Sequence, residues 1–380
     1  LAKPRAQKPK TAKRPPRKTA GGGGTTWLAA LLLLAAGGAG AWYLLRSEGA
    51  ARQNNGIQKR DTQKPVPARA AVAAPAKSAQ AVSAAKITFT VPEAYPRLPN
   101  SWFEAQVALA RAGFSCGSID GVGGAQTVGA WRAFQSRAGL PETSWLDPRT
   151  CAELVLDTPP TTRYTVTVAD LERLQPLSST WLGKSQQSAL DFETLLELVA
   201  EKTRAHPTLL KKLNPDFDWE HPKIGAVLTV PAAARTAPLA KAAALHVQLE
   251  AHTLQAYDAD GRMVAHFPVS IARKVEKRPV GELHVTVVIR DPNYTFDPDV
   301  FPESAEGQEL GRRLVVPPGP NNPVGVAWIG LDRSGYGIHG TPNPEQVGRT
   351  ESHGCFRLAN WDARTLLDLA WVGLPVYVDP

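Results

Sequence analysis

Cysteine is nearly absent from this chain of 380 residues: three occur, at positions 116, 151 and 355. So few exclude a disulfide-rich miniprotein. CxxC and HExxH pairs are missing, and with them the usual sequence marks of a zinc site. Aromatic residues make up only 7% of the chain, and charged residues 21%. Only one long uninterrupted apolar run is present, so a polytopic membrane protein is excluded, as are collagen and a wholly disordered chain. Gly and Pro are abundant (31 and 33), which leaves part of the chain outside any packed core. At ~100–200 residues per domain, the length allows two to four small domains.

Acidic residues are missing from residues 1–26, where eight basic residues run from Lys3 to Lys18. Taking these eight from the 43 Lys and Arg leaves 35, equal to the 35 Asp and Glu, so the rest of the chain is neutral. The formal charge of +8 therefore belongs to a basic tail, expected in the cytoplasm, and no nucleic-acid-binding face is expected on the folded body. Trp27 to Leu45 carries no charge over 19 residues, with Trp27, Trp42 and Tyr43 near its ends. It reads as a transmembrane anchor (27–45) with everything after it exported. A cleaved signal peptide ending at Ala39-Gly40-Ala41 is the alternative. Residues 46–98, rich in Ala, Lys, Arg, Gln and Pro, read as a disordered linker. The expected location is the cell membrane, single-pass, with the C-terminal domains in the periplasm or cell-wall space.

Three folded modules follow, for a multidomain α+β architecture. Residues 99–157 read as three helices: Trp102–Ala112 closed by Gly113, Thr127–Arg137 closed by Gly139, and a short helix opened by Asp147-Pro148. Gln106, Leu109, Gly113, Phe114, Ile119-Asp120-Gly121, Gly124, Thr127, Ala130, Phe134-Gln135, Gly139-Leu140 and Asp147 together resemble the three-helix peptidoglycan-binding domain. Gly123 departs from it, since the family usually has an aromatic there. In an oxidising compartment Cys116 and Cys151 are candidates for a disulfide, two buried free thiols being the other reading. Residues 161–232 read as a strand at Tyr164–Val168, a helix over Phe192–Lys202, a helix end near Leu209–Leu213 and a closing strand at Gly225–Pro231. The string LLKKLNPDFDWEHPKIGAVLTVP resembles the second half of a lysin-motif domain. That motif is shorter than this module, which implies an insertion.

Residues 244–378 turn to strand patterns: Leu245–Leu249, Leu254–Tyr257, Met263–Ile271, Leu283–Ile289 and Leu314–Val316, with one clear helix at Asp362–Ala370. Gly337-Ile338-His339-Gly340-Thr341 is followed by Ser352-His353-Gly354-Cys355-Phe356-Arg357-Leu358. One thiol and two imidazoles thus fall within 17 residues, among glycines. A cysteine nucleophile needs a base, a partner that orients the base, and backbone N–H groups aimed at the developing oxyanion. His339 and His353 are both candidates to lower the thiol pKa.

This pair of motifs resembles the signature of the L,D-transpeptidase catalytic domain, a mainly-β fold. Pro279-x-Gly281-x-Leu283 fits it too, although Arg278 and Leu283 stand where the family usually has Thr and an aromatic. The resemblance implies Cys355 as nucleophile and His339 as its base, oriented by the Ser352 carbonyl or by His353. It implies an oxyanion hole around Gly354 and Cys355, and substrate contacts from Arg357, Gly340, Thr341 and Tyr336. No metal or other cofactor is implied. The implied partners are peptidoglycan stem peptides and glycan, and the implied activity is cross-linking of stem peptides through a cysteine thioester. Hydrolysis as an L,D-carboxypeptidase, attachment of a lipoprotein to the wall, and a non-catalytic wall anchor are the alternatives.

Overall fold

The computed structural model describes residues 94–235, 240–349 and 354–380. The basic tail, the apolar stretch, nearly all of the linker, and Ser352 and His353 lie outside them. No helix among the described residues is long and apolar enough to cross a membrane.

In the first module, α1 (Trp102–Ala112) has the expected bounds because both ends are capped. The Ser101 side chain accepts from the Glu104 N–H, and Gly113 takes the left-handed conformation at φ 96°. Helix α2 (Ala125–Ala138) begins two residues early, and α3 (Pro148–Glu153) is opened by Asp147 with proline in its first turn. Two fully buried glutamines tie the loops to the helices. The Gln106 amide donates to Asp120 and Thr127, and the Gln135 amide to Thr143, Asp147 and Thr150. Cys116 and Cys151 fall in one apolar cluster with Phe114 and Trp131, yet both are free thiols. The disulfide expected between them is therefore not formed; each packs as a small apolar side chain, and burial raises both thiol pKa values.

In the second module, β1 (Thr161–Thr165) stops earlier than expected. Thr167 and Asp170 form a reciprocal capping box that starts α4 (Val168–Glu172) where a continued strand was expected. A short helix α5 (Trp181–Gln186) follows, then α6 (Leu195–Thr203), α7 (Pro207–Leu213) and β2 (Val227–Pro231), which returns antiparallel to β1.

The third module is one curled sheet. Its strands are β3 (Ala244–Gln248), β4 (Thr253–Tyr257), β5 (Met263–Pro268) and β6 (Gly281–Arg290). The chain then leaves the sheet through β7 (Tyr294–Phe296), α8 (Ala305–Leu310) and β8 (Leu314–Val316), where β7 and β8 pair only with each other. It returns as β9 (Ala327–Leu331), β10 (Gly337–His339), β11 (Phe356–Arg357), α9 (Asn360–Leu369) and β12 (Pro375–Asp379). The eight-stranded order is β11-β10-β9-β6-β12-β3-β4-β5. Beyond β5, Ser270 exchanges both backbone hydrogen bonds with Arg357 (2.9 and 3.0 Å), so the two ends of the sheet meet. Helix α9 buries Leu366 and Leu369 against the core lined by Leu245, Phe267 and Ile329.

Backbone hydrogen bonds join the modules. Ser115 and Gly113 bond His266 on β5, Ile119 bonds Arg204 and His206, and Leu190 bonds Pro318 and Asn321. At the first of these junctions Asp362, at the start of α9, is 1% exposed. Ser115 Oγ donates to its Oδ2 at 2.8 Å, while Oδ1 has no partner. Burial pushes its carboxyl up to about 7, against the pull of Arg204. A raised folded-state pKa means that folding favours the protonated acid. The contribution is present below the unfolded value of about 3.9 and is lost as pH rises toward 7. Asp362→Asn should therefore unfold at a Tm higher than the wild type by at least ~2 °C at pH 8, with the difference vanishing near pH 4. Calorimetric scans across that range check this; equal shifts at both pH values would contradict it.

Candidate active site

Strands β10 and β11 run parallel, with Ile338 opposite Phe356 and His339 opposite Arg357. Ile338 and Phe356 are each 1% exposed and enter the core, so by alternation Gly337, His339, Cys355 and Arg357 share the other face. Cys355 immediately precedes β11, and the Gly337 backbone lies within hydrogen-bonding reach of its thiol. The half-buried thiol donates to the Gly335 carbonyl at 3.5 Å. The Tyr336 ring lies 4.0 Å from where a Cβ on Gly354 would stand.

His339 is 5% exposed and stacks on Trp328 across β9, with centroids 5.7 Å apart. Its Nδ1 lies 2.6 Å from the Gly340 carbonyl. A carbonyl only accepts, so Nδ1 carries the proton and Nε2 is left as the basic nitrogen. The partner that orients His339 is thus Gly340, and neither of the two residues expected in that role, Ser352 and His353, is among those described. Gly340 is buried, and a Cβ on it would stand 2.3 Å from Asn360 Oδ1, so glycine here admits the Asn360 amide. Asn360 is itself fully buried, donating to Glu201 at 2.7 Å and to the Pro320 carbonyl at 3.0 Å. Glu201 belongs to the second module, and burial raises its carboxyl to about 7.

Arg357 and Thr341 line an open pocket of about 180 Å³ together with Ser270, Asn343, Gln346 and Val347. Burial lowers the Arg357 pKa, while Cys355 and Tyr294 raise it. Among the described residues Arg357 makes no ion pair. Tyr336 packs against the sheet core under the Arg333 guanidinium, 4.9 Å from its ring centre. Tyr294 was not anticipated. It stands on β7 within electrostatic reach of Cys355 and Arg357, and burial first, then Cys355, pushes its phenol up to about 12. The sequence carried no signal for it beyond an aromatic pair at alternate positions, Tyr294 and Phe296. Among the described residues, no cluster of three His, Cys, Asp or Glu is placed to hold a metal ion.

The electrostatics depart from the expectation of a depressed thiol. Burial raises the Cys355 pKa, with the Gly337 backbone and Arg357 only partly opposing it. Burial lowers His339 to about 4, and Arg357 pushes in the same direction. At neutral pH the resting pair is therefore neutral thiol and neutral imidazole. That arrangement suits an imidazole that takes the thiol proton as the sulfur attacks.

Residues 242–378 match the L,D-transpeptidase catalytic domain, and residues 100–154 match a peptidoglycan binding domain. A Bacillus licheniformis protein named as an L,D-transpeptidase, YkuD, is 27% identical over 49% of this chain and 93% of its own length. Bacillus subtilis YqjB, named likewise, is 32% identical over 31% of this chain, which spans 61% of that relative. The crystal structure of the L,D-transpeptidase (residues 123–326) from Xylanimonas cellulosilytica is 16% identical, with a TM-score of 0.31 over 76% of this chain and 99% of that one.

Alkylation of Cys355 by iodoacetamide, followed by peptide mass spectrometry, should titrate with a midpoint above the free-cysteine value of about 8.5. A midpoint below 7 would show a preformed ion pair and contradict the neutral resting state.

Proposed function

We infer that the chain, which through residues 242–378 belongs to the L,D-transpeptidase family, is a peptidoglycan L,D-transpeptidase working through a thioester on Cys355. The observation that supports this reading is the parallel pairing of β10 and β11, which brings the strand that carries His339 beside the strand that follows Cys355 and leaves Nε2 as the basic nitrogen of the imidazole. Cys355 Sγ attacks the carbonyl of the L-centre of a diamino acid in a donor stem tetrapeptide, and its proton passes to His339 Nε2. That proton then leaves with D-alanine as the C–N bond breaks. The side-chain amine of a neighbouring stem attacks the thioester and loses a proton to His339, and the thiol is regenerated with a 3→3 cross-link made. Backbone N–H groups near Gly354 and Cys355 stabilise the two tetrahedral oxyanions. Arg357, with no acidic partner among the described residues, offers a guanidinium for a substrate carboxylate beside Thr341.

The accessory modules fit a wall substrate. The peptidoglycan-binding domain at 100–154 supports retention on the polymer. The antiparallel pair β1 and β2, which encloses α6 and α7 together with the additional short helices α4 and α5, supports a lysin-motif-like glycan contact. The uncharged stretch at 27–45 and the basic tail support membrane anchoring, with the catalytic domain outside the cytoplasm.

Purified Cys355→Ala should form no cross-linked dimers from tetrapeptide muropeptides, and His339→Gln should lose roughly 10²–10⁴-fold in rate. Product mass spectrometry reads both and distinguishes a cross-link from hydrolysis. Cross-linking retained by Cys355→Ala would overturn the assignment.

A further inference from the structure

The excursion between β6 and β9 carries Tyr294, whose phenol is within electrostatic reach of Cys355 and Arg357, yet it contains little that could hold it in place. Its own ladder pairs three residues of β7 with three of β8, and so short a two-stranded ribbon is marginal alone. What it leans on comes from the second module. The Trp181 ring stacks on Phe296 with centroids 4.3 Å apart and planes at 15°, and lies 6.0 Å from the Tyr294 ring. Phe296 is fully buried and stacks in turn on Phe301. The Glu306 carboxylate of α8 accepts from the Trp181 and Leu182 N–H groups, both at 2.8 Å, in the first turn of α5. Further along, Leu190 donates to the Pro318 carbonyl and accepts from Asn321. The two backbones approach so closely that a Cβ on Gly319 (φ +145°) would stand 2.1 Å from the Leu190 carbonyl oxygen. Residues 181–191 thus dock along the excursion from β7 to Asn321. They lie in the stretch between α4 and α6 that makes this module longer than the motif it resembles.

We propose that Trp181 is a positioning residue for acyl transfer: its stack on Phe296 sets β7, and thereby the Tyr294 ring that β7 carries. Tyr294 and Phe296 are two residues apart on a strand and share a face, so a ring held on one fixes the other. The middle module thus backs the strand that carries Tyr294, a support that an isolated catalytic domain would lack. This inference rests on the acyl-transfer reading above, and the test separates the two.

The full chain with Trp181→Ala, Trp181→Phe or Glu306→Gln is compared with wild type. Meropenem acylation of Cys355 is followed by intact mass, and donor kcat and KM by muropeptide turnover. All rates are normalised to titratable Cys355 thiol. Trp181→Ala should slow acylation roughly 10–100-fold and lower kcat more than it raises KM, as a misplaced wall group would. Trp181→Phe, which keeps a ring on Phe296, should restore the rate to within about twofold. Glu306→Gln should slow acylation by a smaller factor. A merely structural role would lower Tm and leave the rate per thiol unchanged; a wild-type acylation rate in Trp181→Ala, whatever its Tm, overturns the proposal. If Trp181→Ala does not fold, Glu306→Gln decides by the same criterion. Meropenem acylation needs no stem peptide. A wild type that makes no cross-links, beside a slowed Trp181→Ala, would therefore sink the substrate assignment and leave the positioning role standing.

Discussion

Two very short strands lying side by side in the same direction set the whole site. The β10–β11 pair has only two matched positions, Ile338 with Phe356 and His339 with Arg357. One position buries two apolar side chains, and the burial locks the register, because a slip of one residue would turn Phe356 to the surface and Arg357 into the core. With the register locked, the residues before and after Phe356 must emerge on the face of His339. The glycines around them serve approach: Gly337 leaves room for the Trp328 ring, whose edge would stand 2.7 Å from a Cβ there, and Gly340 lets Asn360 press close to the imidazole. The chemistry of one sulfur is in this sense settled by the packing of two hydrophobic side chains on the far side of the sheet.

Burial fixes the geometry and opposes ionisation at the same time. The Nδ1–H bond to Gly340 fixes the tautomer of His339, and enclosure by Trp328 and the core holds the ring neutral. The thiol is likewise disfavoured as an anion. Charge is thus withheld until substrate arrives. A transfer that moves a proton inside a pair costs less in such surroundings than keeping two separated ions ready in advance. Burial penalises the charge of Arg357 there as well.

Much of the first module was legible because its signals are local. Ser101, Gly113, Asp147 and Pro148 mark helix ends through contacts within a few residues, and α1 falls where they place it. The motif around Cys355 was legible for the same reason, since thiol, imidazole and glycines are neighbours in the chain. What was not legible is what depends on distant partners. Strand β12 pairs in parallel with β3, well over a hundred residues earlier, and β11 is two residues long, so neither pairing shows in the local sequence. Strands β9 and β10 are short, each carries a glycine, and neither is among the strands expected from the sequence. Tyr294, Asn360 and Glu201 reach the site only through tertiary contacts, and no spacing rule connects them to His339. The disulfide expectation followed compartment and count, and neither specifies how two thiols will pack.

The bond exchange between Ser270 and Arg357 has a bearing on solubility. A terminal strand of a sheet ordinarily leaves a row of peptide groups open, a template on which another chain can polymerise. Here the strand beside the nucleophile has its outer peptide group already satisfied from the opposite end of the same sheet. Stray polypeptide, or a second copy of the enzyme, finds nothing there to zip onto. The barrel-like seam thus guards against fibre growth at the one place where a glycine-rich chain and a reactive sulfur would make it most damaging.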